Sequence, residues 1–457
     1  MKYSIDTYPL YKDEKRFAFV VRAKVRMKEQ VDVDVLRLAA NKAIKRYPYF
    51  AVKIQIDENG SYVRVPNNKE IAVLPMGDKT PYLCSNEVNE HLLFLEVDGK
   101  DIYFNISHTM CGGRGLQPWI MTTVWQYVAD KHGITPDAPT IRKPGEPLLD
   151  GEMGEPALDT LPKEEPIYEY KSKNPKVLIG DYMNGLLNPF MRNNNYRVLT
   201  FSQKEILSFV KGNDSSVAAF FLITVAKALD KLLPKKAAVI GGEIAHNMAA
   251  NIGLKNAHCD ILSHIHIDYT RDQLKMDMEK LGTITRGQII LQTDPSVSCK
   301  ELREKLELYE KLDSFQGIKA KRKYMKEHDP STGKDAKHGT YYVNYTGQMD
   351  WGQVADYIES YVLIVEGHVM LEVTSAGDKI FVCFMQILDS DQRRHMLGPA
   401  SAYGSDEDYS GEKNNTRLNK PHSLIQDHSF TIMYSDRMIF LRFQRKIKCV
   451  REQSWAA

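Results

Sequence analysis

The chain has 457 residues, a net charge of +2 and 26% charged side chains, which exceeds a single small module and leaves room for two domains with a core each. The near balance of charge excludes a general nucleic-acid binder. Six scattered cysteines, Cys84, Cys111, Cys259, Cys299, Cys383 and Cys449, form no CxxC pair, which excludes a disulfide framework and a zinc ribbon and fits a reducing cytoplasm. Met1–Asp6 lacks the basic and apolar start of a signal peptide. The longest apolar helical run, Val217–Val225, is too short to span a bilayer, so a cytoplasmic protein without a transmembrane segment is expected.

From Arg16 to Met27 one parity is apolar (Phe17, Phe19, Val21, Ala23, Val25, Met27), which predicts a strand with one buried face. Asp32 then stands where it can cap a helix over Val33–Arg46, stopped by Pro48. Strands follow at Tyr49–Ile56, Tyr62–Val65, Leu92–Val97 and Asp101–Ser107. Asn59-Gly60 and Asp98-Gly99 between them favour hairpin turns, so a largely antiparallel sheet is expected.

The last of these strands runs into Ser107-His108-Thr109-Met110-Cys111-Gly112-Gly113, with Gly115 close behind and an amphipathic helix over Leu116–Lys131. His108 thus sits where a strand leaves its sheet, its backbone held and its ring free to face a cleft. A hydrogen-bonded structural histidine is the ordinary alternative to a general base at such a place. Cys111 offers a Cys/His nucleophile pair as a further alternative, although its loop neighbours include no group to orient it.

This stretch resembles the HHxxxDG signature of the CoA-dependent acyltransferase superfamily, which includes chloramphenicol acetyltransferase, alcohol acyltransferases, plant BAHD enzymes and nonribosomal peptide condensation domains. The resemblance implies that His108, matching the second histidine, is the catalytic base. Ser107 replaces the first histidine, and Gly112 replaces an aspartate that in the family pairs with an arginine and shapes the loop. If orientation of His108 is what that change removed, Gly112→Asp should raise activity. The order of strand and helix from Arg16 to Phe50 also resembles the opening of the superfamily.

Prolines at 136, 139, 144, 147, 156, 162, 166 and 175, with acids between them, predict an extended surface crossover over 135–175. The pattern then restarts. Tyr196–Phe201 reads as a strand. Ser202 with Glu205 forms a capping box for a short helix ending at Gly212, and Val217–Leu233 is a strongly apolar helix before a strand over Ala237–Ile244. His246, His258, His264 and His266 invite a metal reading. His264 and His266 would share one face of a strand, but the sequence shows no carboxylate or cysteine completing a set, and solvent-facing histidines are the plainer alternative. Ser298 and Glu301 are read as the cap of a helix reaching about Ser314, with Leu302, Leu306, Tyr309 and Leu312 on its buried stripe.

Lys319–Lys326 is a basic cluster. It is an ordinary solvated face or, through Lys321, Arg322 and Lys323, a holder of coenzyme A phosphates. Val343-Asn344-Tyr345-Thr346-Gly347 resembles the V-S-N-x-G strand end of several bacterial members. That implies a role for Asn344 in orienting substrate or donating to an oxyanion, beside the alternative of a buried asparagine serving the backbone. Tyr361–Val373 and Lys379–Leu388 are the last two strands expected. Asp389–Gln426 reads as disordered from its polar composition. Phe430–Val450 alternates apolar and basic residues, as an added strand or a membrane-surface helix would.

These readings predict an α/β protein of two-layer, mixed-sheet sandwich halves, chloramphenicol acetyltransferase-like, with a tunnel between pseudo-symmetric halves. The expected division is an N-terminal half over 1–134, a crossover over 135–175, a C-terminal half over 176–392 and an atypical tail over 393–457. The activity the resemblance implies is transfer of an acyl group from a CoA thioester to a hydroxyl or amine acceptor. His108 is the base, Asn344 and Gly113 are substrate-binding candidates, and acyl-CoA is a co-substrate with no bound cofactor or metal. The alternatives are a non-catalytic binder of an acyl or peptidyl ligand and a condensation-type protein acting on carrier-protein thioesters.

Overall fold

The computed structural model describes residues 4–12, 20–77, 81–171, 196–232, 239–329, 340–364, 369–385 and strands within 407–443. Strand β1 (Val20–Met27) buries Val21, Ala23, Val25 and Met27, the parity expected from the sequence. The Arg16–Phe19 part of that expectation lies outside the described residues. Helix α1 (Val33–Ala43) starts at Asp32, whose Oδ1 accepts the N–H groups of Asp34 and Val35, each at 3.0 Å. Strands β2 (Val52–Ile56) and β3 (Tyr62–Pro66) form a hairpin of their own. Strands β4 (Val73–Pro75), β5 (Leu93–Asp98) and β6 (Asp101–Ser107) lead into helix α2 (Gly113–His132). The β5–β6 turn passes through Gly99 at φ +58°, a conformation glycine adopts without strain.

Residues 135–171 contain one short 3-10 turn, Leu158–Thr160, and are otherwise neither helix nor strand. This segment is anchored by Glu152. Its carboxylate is buried, bound by both Nη atoms of Arg46 at 2.9 Å and by the Tyr49 hydroxyl at 2.6 Å, and lies 3.1 Å from Arg142. A stretch read from composition as a surface crossover therefore carries a buried ion-pair hub.

The second half comprises β7 (Tyr196–Ser202), α3 (Gln203–Gly212), α4 (Val217–Leu232), β8 (Val239–Asn247), β9 (Leu262–Thr270), α5 (Met278–Thr293), α6 (Pro295–Asp313), α7 (Ile318–His328), β10 (Tyr341–Tyr345), β11 (Ile358–Ile364), β12 (Val369–Ala376) and β13 (Lys379–Met385). Ser202 caps α3 by accepting from the Glu205 N–H, as expected. The cap of α6 is Asp294 rather than Ser298, because Pro295 supplies the first helical position and Asp294 Oδ1 accepts the Ser296 N–H. Helix α5 was not foreseen, since Gly282 and Gly287 interrupt its apolar stripe.

Two mixed sheets result, one ordered β11-β1-β6-β5-β4 and the other β14-β7-β13-β12-β10-β8-β9, where β14 is Glu407–Asp408. The run Tyr361–Val373, expected as one strand, is divided between them. β11 pairs antiparallel with β1, Tyr361 opposite Val25, while β12 lies between β10 and β13 in the larger sheet. One chain segment thus joins both sheets, and the first core cluster extends across to Tyr196, Val198, Phe381 and Cys383. A third cluster packs the N-terminal turn Ile5–Tyr11 and Tyr62 of the hairpin against Leu302, Tyr309, Leu312 and Met325 of α6 and α7.

In the tail, β15 (His422–Asp427), β16 (Phe430–Ser435) and β17 (Met438–Phe443) form an antiparallel sheet. Strand is therefore the reading that holds over Phe430–Ser435 and Met438–Phe443, and the disorder expected for Asp389–Gln426 does not extend to β14 or β15. The remainder of that stretch and residues 444–450 lie outside the described residues, as does Cys449. The five described cysteines are free thiols. No single helix among the described residues is long and apolar enough to cross a membrane.

Candidate active site

His108 follows β6 in a turn closed by the Met110 N–H donating to the Ser107 carbonyl at 3.0 Å. The Ser107 and Thr109 hydroxyls lie 2.7 Å apart, and the Thr109 N–H donates to Ser107 Oγ at 3.2 Å. Ser107, at the place of the motif's first histidine, thus pins the turn. The His108 side chain keeps 25% of its surface exposed, whereas Met110 and Cys111 are wholly buried. Cys111 has no exposed surface to meet a substrate, and burial pushes its thiol well above its usual range, which disfavours the thiolate that a Cys/His pair needs.

The 258–260 segment, between β8 and β9, packs tightly against the start of α2. A Cβ on Gly115 would overlap the His258 carbonyl oxygen and stand 2.9 Å from the Cys111 Cβ. A Cβ on Gly112 would overlap Asp260 Oδ1 and stand 2.9 Å from Asp260 Cγ. Two glycines therefore admit this segment, and Asp260 comes within reach of the histidine: Oδ2 lies 3.7 Å from His108 Nδ1. By contrast, a Cβ on Gly113 would meet nothing within 4 Å, so that side of the turn is open.

Behind Asp260 lies a buried charged network. Asp6 Oδ1 accepts the Asp260 N–H at 2.9 Å, and Asp6 Oδ2 lies 3.3 Å from Arg64 Nη2. The same Nη2 donates to the Thr109 carbonyl at 2.6 Å. Burial raises the Asp6 carboxyl, while the Arg64 guanidinium pulls it back and Asp260 pushes it up. Burial, reinforced by Asp6, pushes Glu155 up to about 7. His258 is stacked on Tyr49, its Nδ1 2.9 Å from the Glu152 carbonyl oxygen, and burial lowers its basicity.

The other sequence candidates lie elsewhere. Asn344 on β10 is in parallel register with Glu372 on β12, and its Nδ2 donates one of its two N–H groups to Glu372 Oε1 at 2.8 Å. Lys321 is buried, with Nζ donating to Ser61 Oγ at 2.6 Å and 3.5 Å from Asp313 Oδ1. Arg322 donates to the Tyr62 hydroxyl at 2.5 Å. These two cations tie α7 to the β2–β3 hairpin instead of forming an open phosphate cradle, and Lys323 is the exposed member of the three. Cations do line a cavity of about 210 Å³ beside the start of α2, bounded by Arg114, Arg142, Lys255, Gln117, Gly115 and His258.

His264 and His266 do share the outer face of β9. Carboxylates that the sequence did not reveal meet them: Glu301 Oε1 lies 2.8 Å from His264 Nδ1, and Glu243 Oε2 lies 3.6 Å from His266 Nδ1. The 2.8 Å pair is a direct hydrogen bond with no space for an ion. Among the described residues, no group of three or more such side chains is placed to hold a metal.

Asp260, Asp6, Arg64 and Glu152 were missed by sequence reasoning. No spacing links them to His108, since each arrives from a distant segment.

No protein-family profile and no curated protein sequence matches the chain. Solved structures do. The chain is similar to TRI101 of F. graminearum complexed with ethyl coenzyme A, at 11% identity and TM-score 0.53, over 86% of this chain and 96% of that one. It is similar to polyketide synthase associated protein 5 from Mycobacterium tuberculosis, at 12% identity and TM-score 0.51, over 85% and 95%. It is similar also to the first condensation domain of the CDA synthetase, at 12% identity and TM-score 0.50, over 86% and 92%.

Proposed function

The chain has the α/β, mixed-sheet fold of CoA-dependent acyltransferases and condensation domains, and from that premise we propose that it transfers an acyl group from a CoA thioester to a hydroxyl or amine acceptor in the cytoplasm. The observation that carries this reading is the partly exposed imidazole of His108, fixed at the end of β6 beside an open glycine turn, in the fold of a protein solved with ethyl coenzyme A.

His108 accepts the acceptor's O–H or N–H proton through Nε2 while the acceptor oxygen or nitrogen forms its bond to the thioester carbonyl carbon. Collapse of the tetrahedral intermediate breaks the C–S bond, and the imidazolium returns the proton to the departing sulfur, releasing the free thiol of coenzyme A. An imidazole can both take up and give back a proton, which suits both halves of this exchange. Such base help contributes about 10²- to 10⁴-fold, and positioning within the site supplies the remainder. Arg114, Arg142 and Lys255 are the cations near the turn that would meet coenzyme phosphates.

Condensation domains of comparable similarity favour a second reading, in which a carrier protein presents the same thioester. The test incubates purified protein with short- and long-chain acyl-CoAs and a primary alcohol or amine, following free thiol, with acyl-carrier protein in a parallel arm. Acceptor-dependent thiol release that falls at least about 100-fold in His108→Ala supports the proposal. An undiminished His108→Ala rate, or tight acyl-CoA binding without turnover in wild type, overturns it; the latter result points to a binding protein.

A further inference from the structure

We propose that Asp260 is the positioning residue for His108, supplying from the second half of the chain the carboxylate that Gly112 cannot. The inference rests on the reading of His108 as a base and deepens it.

The two oxygens of Asp260 make the argument. Oδ2 is 3.7 Å from His108 Nδ1. Oδ1 is buried without a hydrogen-bond partner and occupies the volume into which a side chain at 112 would grow. Asp260 and an aspartate at position 112 are therefore mutually exclusive occupants of one place. The loss of a carboxylate at 112 is what admits Asp260, so the motif's departure is an exchange of source. Gly112 has φ −82° and ψ 177°, a backbone open to any residue, so space and not conformation demands glycine here.

The carboxylate is held on its own side as well. The Asp260 N–H is bound by Asp6, Asp6 pairs with Arg64, and Arg64 donates to the carbonyl of Thr109, the residue after His108. A chain of contacts runs from His108 through Thr109, Arg64 and Asp6 to Asp260, whose Oδ2 stands 3.7 Å from the imidazole. It fixes the distance between β6 and the 258–260 segment, so the orientation of the ring depends on both halves being docked. A carboxylate facing Nδ1 favours the Nδ1–H tautomer and leaves Nε2 as the proton acceptor. At 3.7 Å the two atoms stand beyond hydrogen-bond length, so the carboxylate faces the ring as a neighbouring charge, and contacts of this kind tighten when substrate binds. Repairing the motif by Gly112→Asp alone therefore does not raise activity: the new side chain collides with the residue already doing its work.

The test uses the full chain labelled with ¹⁵N-histidine, with the His108 resonances identified by their loss in His108→Ala. Wild type is expected to show the Nδ1–H tautomer at position 108. The isosteric Asp260→Asn should shift the population toward Nε2–H, and the exchange variant Gly112→Asp with Asp260→Gly should restore it. In thiol-release assays Asp260→Asn should lose on the order of 10- to 100-fold in kcat with little change in KM, as partners that orient an imidazole do. The exchange variant should recover most of that loss, while Gly112→Asp alone should not exceed wild type. An unchanged tautomer in Asp260→Asn, or an exchange variant no better than the sum of its single changes, overturns the assignment. The tautomer is read without turnover, so the assignment can fail or stand whatever the thiol-release assay says of acyl transfer.

Discussion

Glu372 gives the structure a consequence in pH. It lies on β12 between Asn344 of β10 and Cys383 of β13, is almost wholly buried, and accepts the Asn344 amide at 2.8 Å. Burial pushes its carboxyl from an ordinary 4.5 to about 8, with the Asn344 hydrogen bond opposing the rise. The unfolded chain releases this proton near pH 4.5, whereas the folded chain keeps it until about pH 8. The contribution to stability is therefore fully present below 4.5, declines as pH rises toward 8 and is constant above. At 1.36 kcal/mol per pH unit, the span amounts to about 5 kcal/mol. Replacement Glu372→Gln keeps the shape and the acceptor and removes the proton. Urea unfolding at one-unit steps from pH 5 to 9 should show wild type losing ground to the variant by about 1.4 kcal/mol per unit up to pH 8 and no further. Parallel stability curves for the two proteins across that range would refute the buried, protonated carboxyl.

Two further outcomes follow from contacts around the site. Gly115→Ala should destabilise by about 1–3 kcal/mol in thermal or urea unfolding, because the added methyl meets the backbone carbonyl of His258, which cannot rotate away; unchanged stability would mean the 258–260 segment is not packed there. Lys321→Met should cost about 1–3 kcal/mol of stability by leaving Asp313 and Ser61 without their cation, with KM for acyl-CoA unchanged. A raised KM at full stability would return Lys321 to the phosphate role that was one of its two sequence readings.

The parts of the fold legible in the sequence are those whose signal is local. β6 was expected at Asp101–Ser107 and is found there, because alternation and the Asp98-Gly99 turn lie within the strand and its neighbour. Asp32 was legible as a cap because its partners are the next few N–H groups. The split of Tyr361–Val373 was not legible, since what separates β11 from β12 is the choice of pairing partner, and β1 lies at the other end of the chain. The basic cluster at Lys321 misled for the same reason: its composition said exposed, while Ser61 and Asp313, from two other elements, made burial favourable.

The sequence by itself determined β1, β6, the caps at Asp32 and Ser202 and the histidine at a strand end, since each depends on period or on neighbours a few residues away. Only the tertiary structure decided which carboxylate faces that histidine. Asp260 reaches it because Gly112 and Gly115 leave volume that a distant segment can fill, and occupancy of shared space is a property of packing to which no local pattern of side chains corresponds.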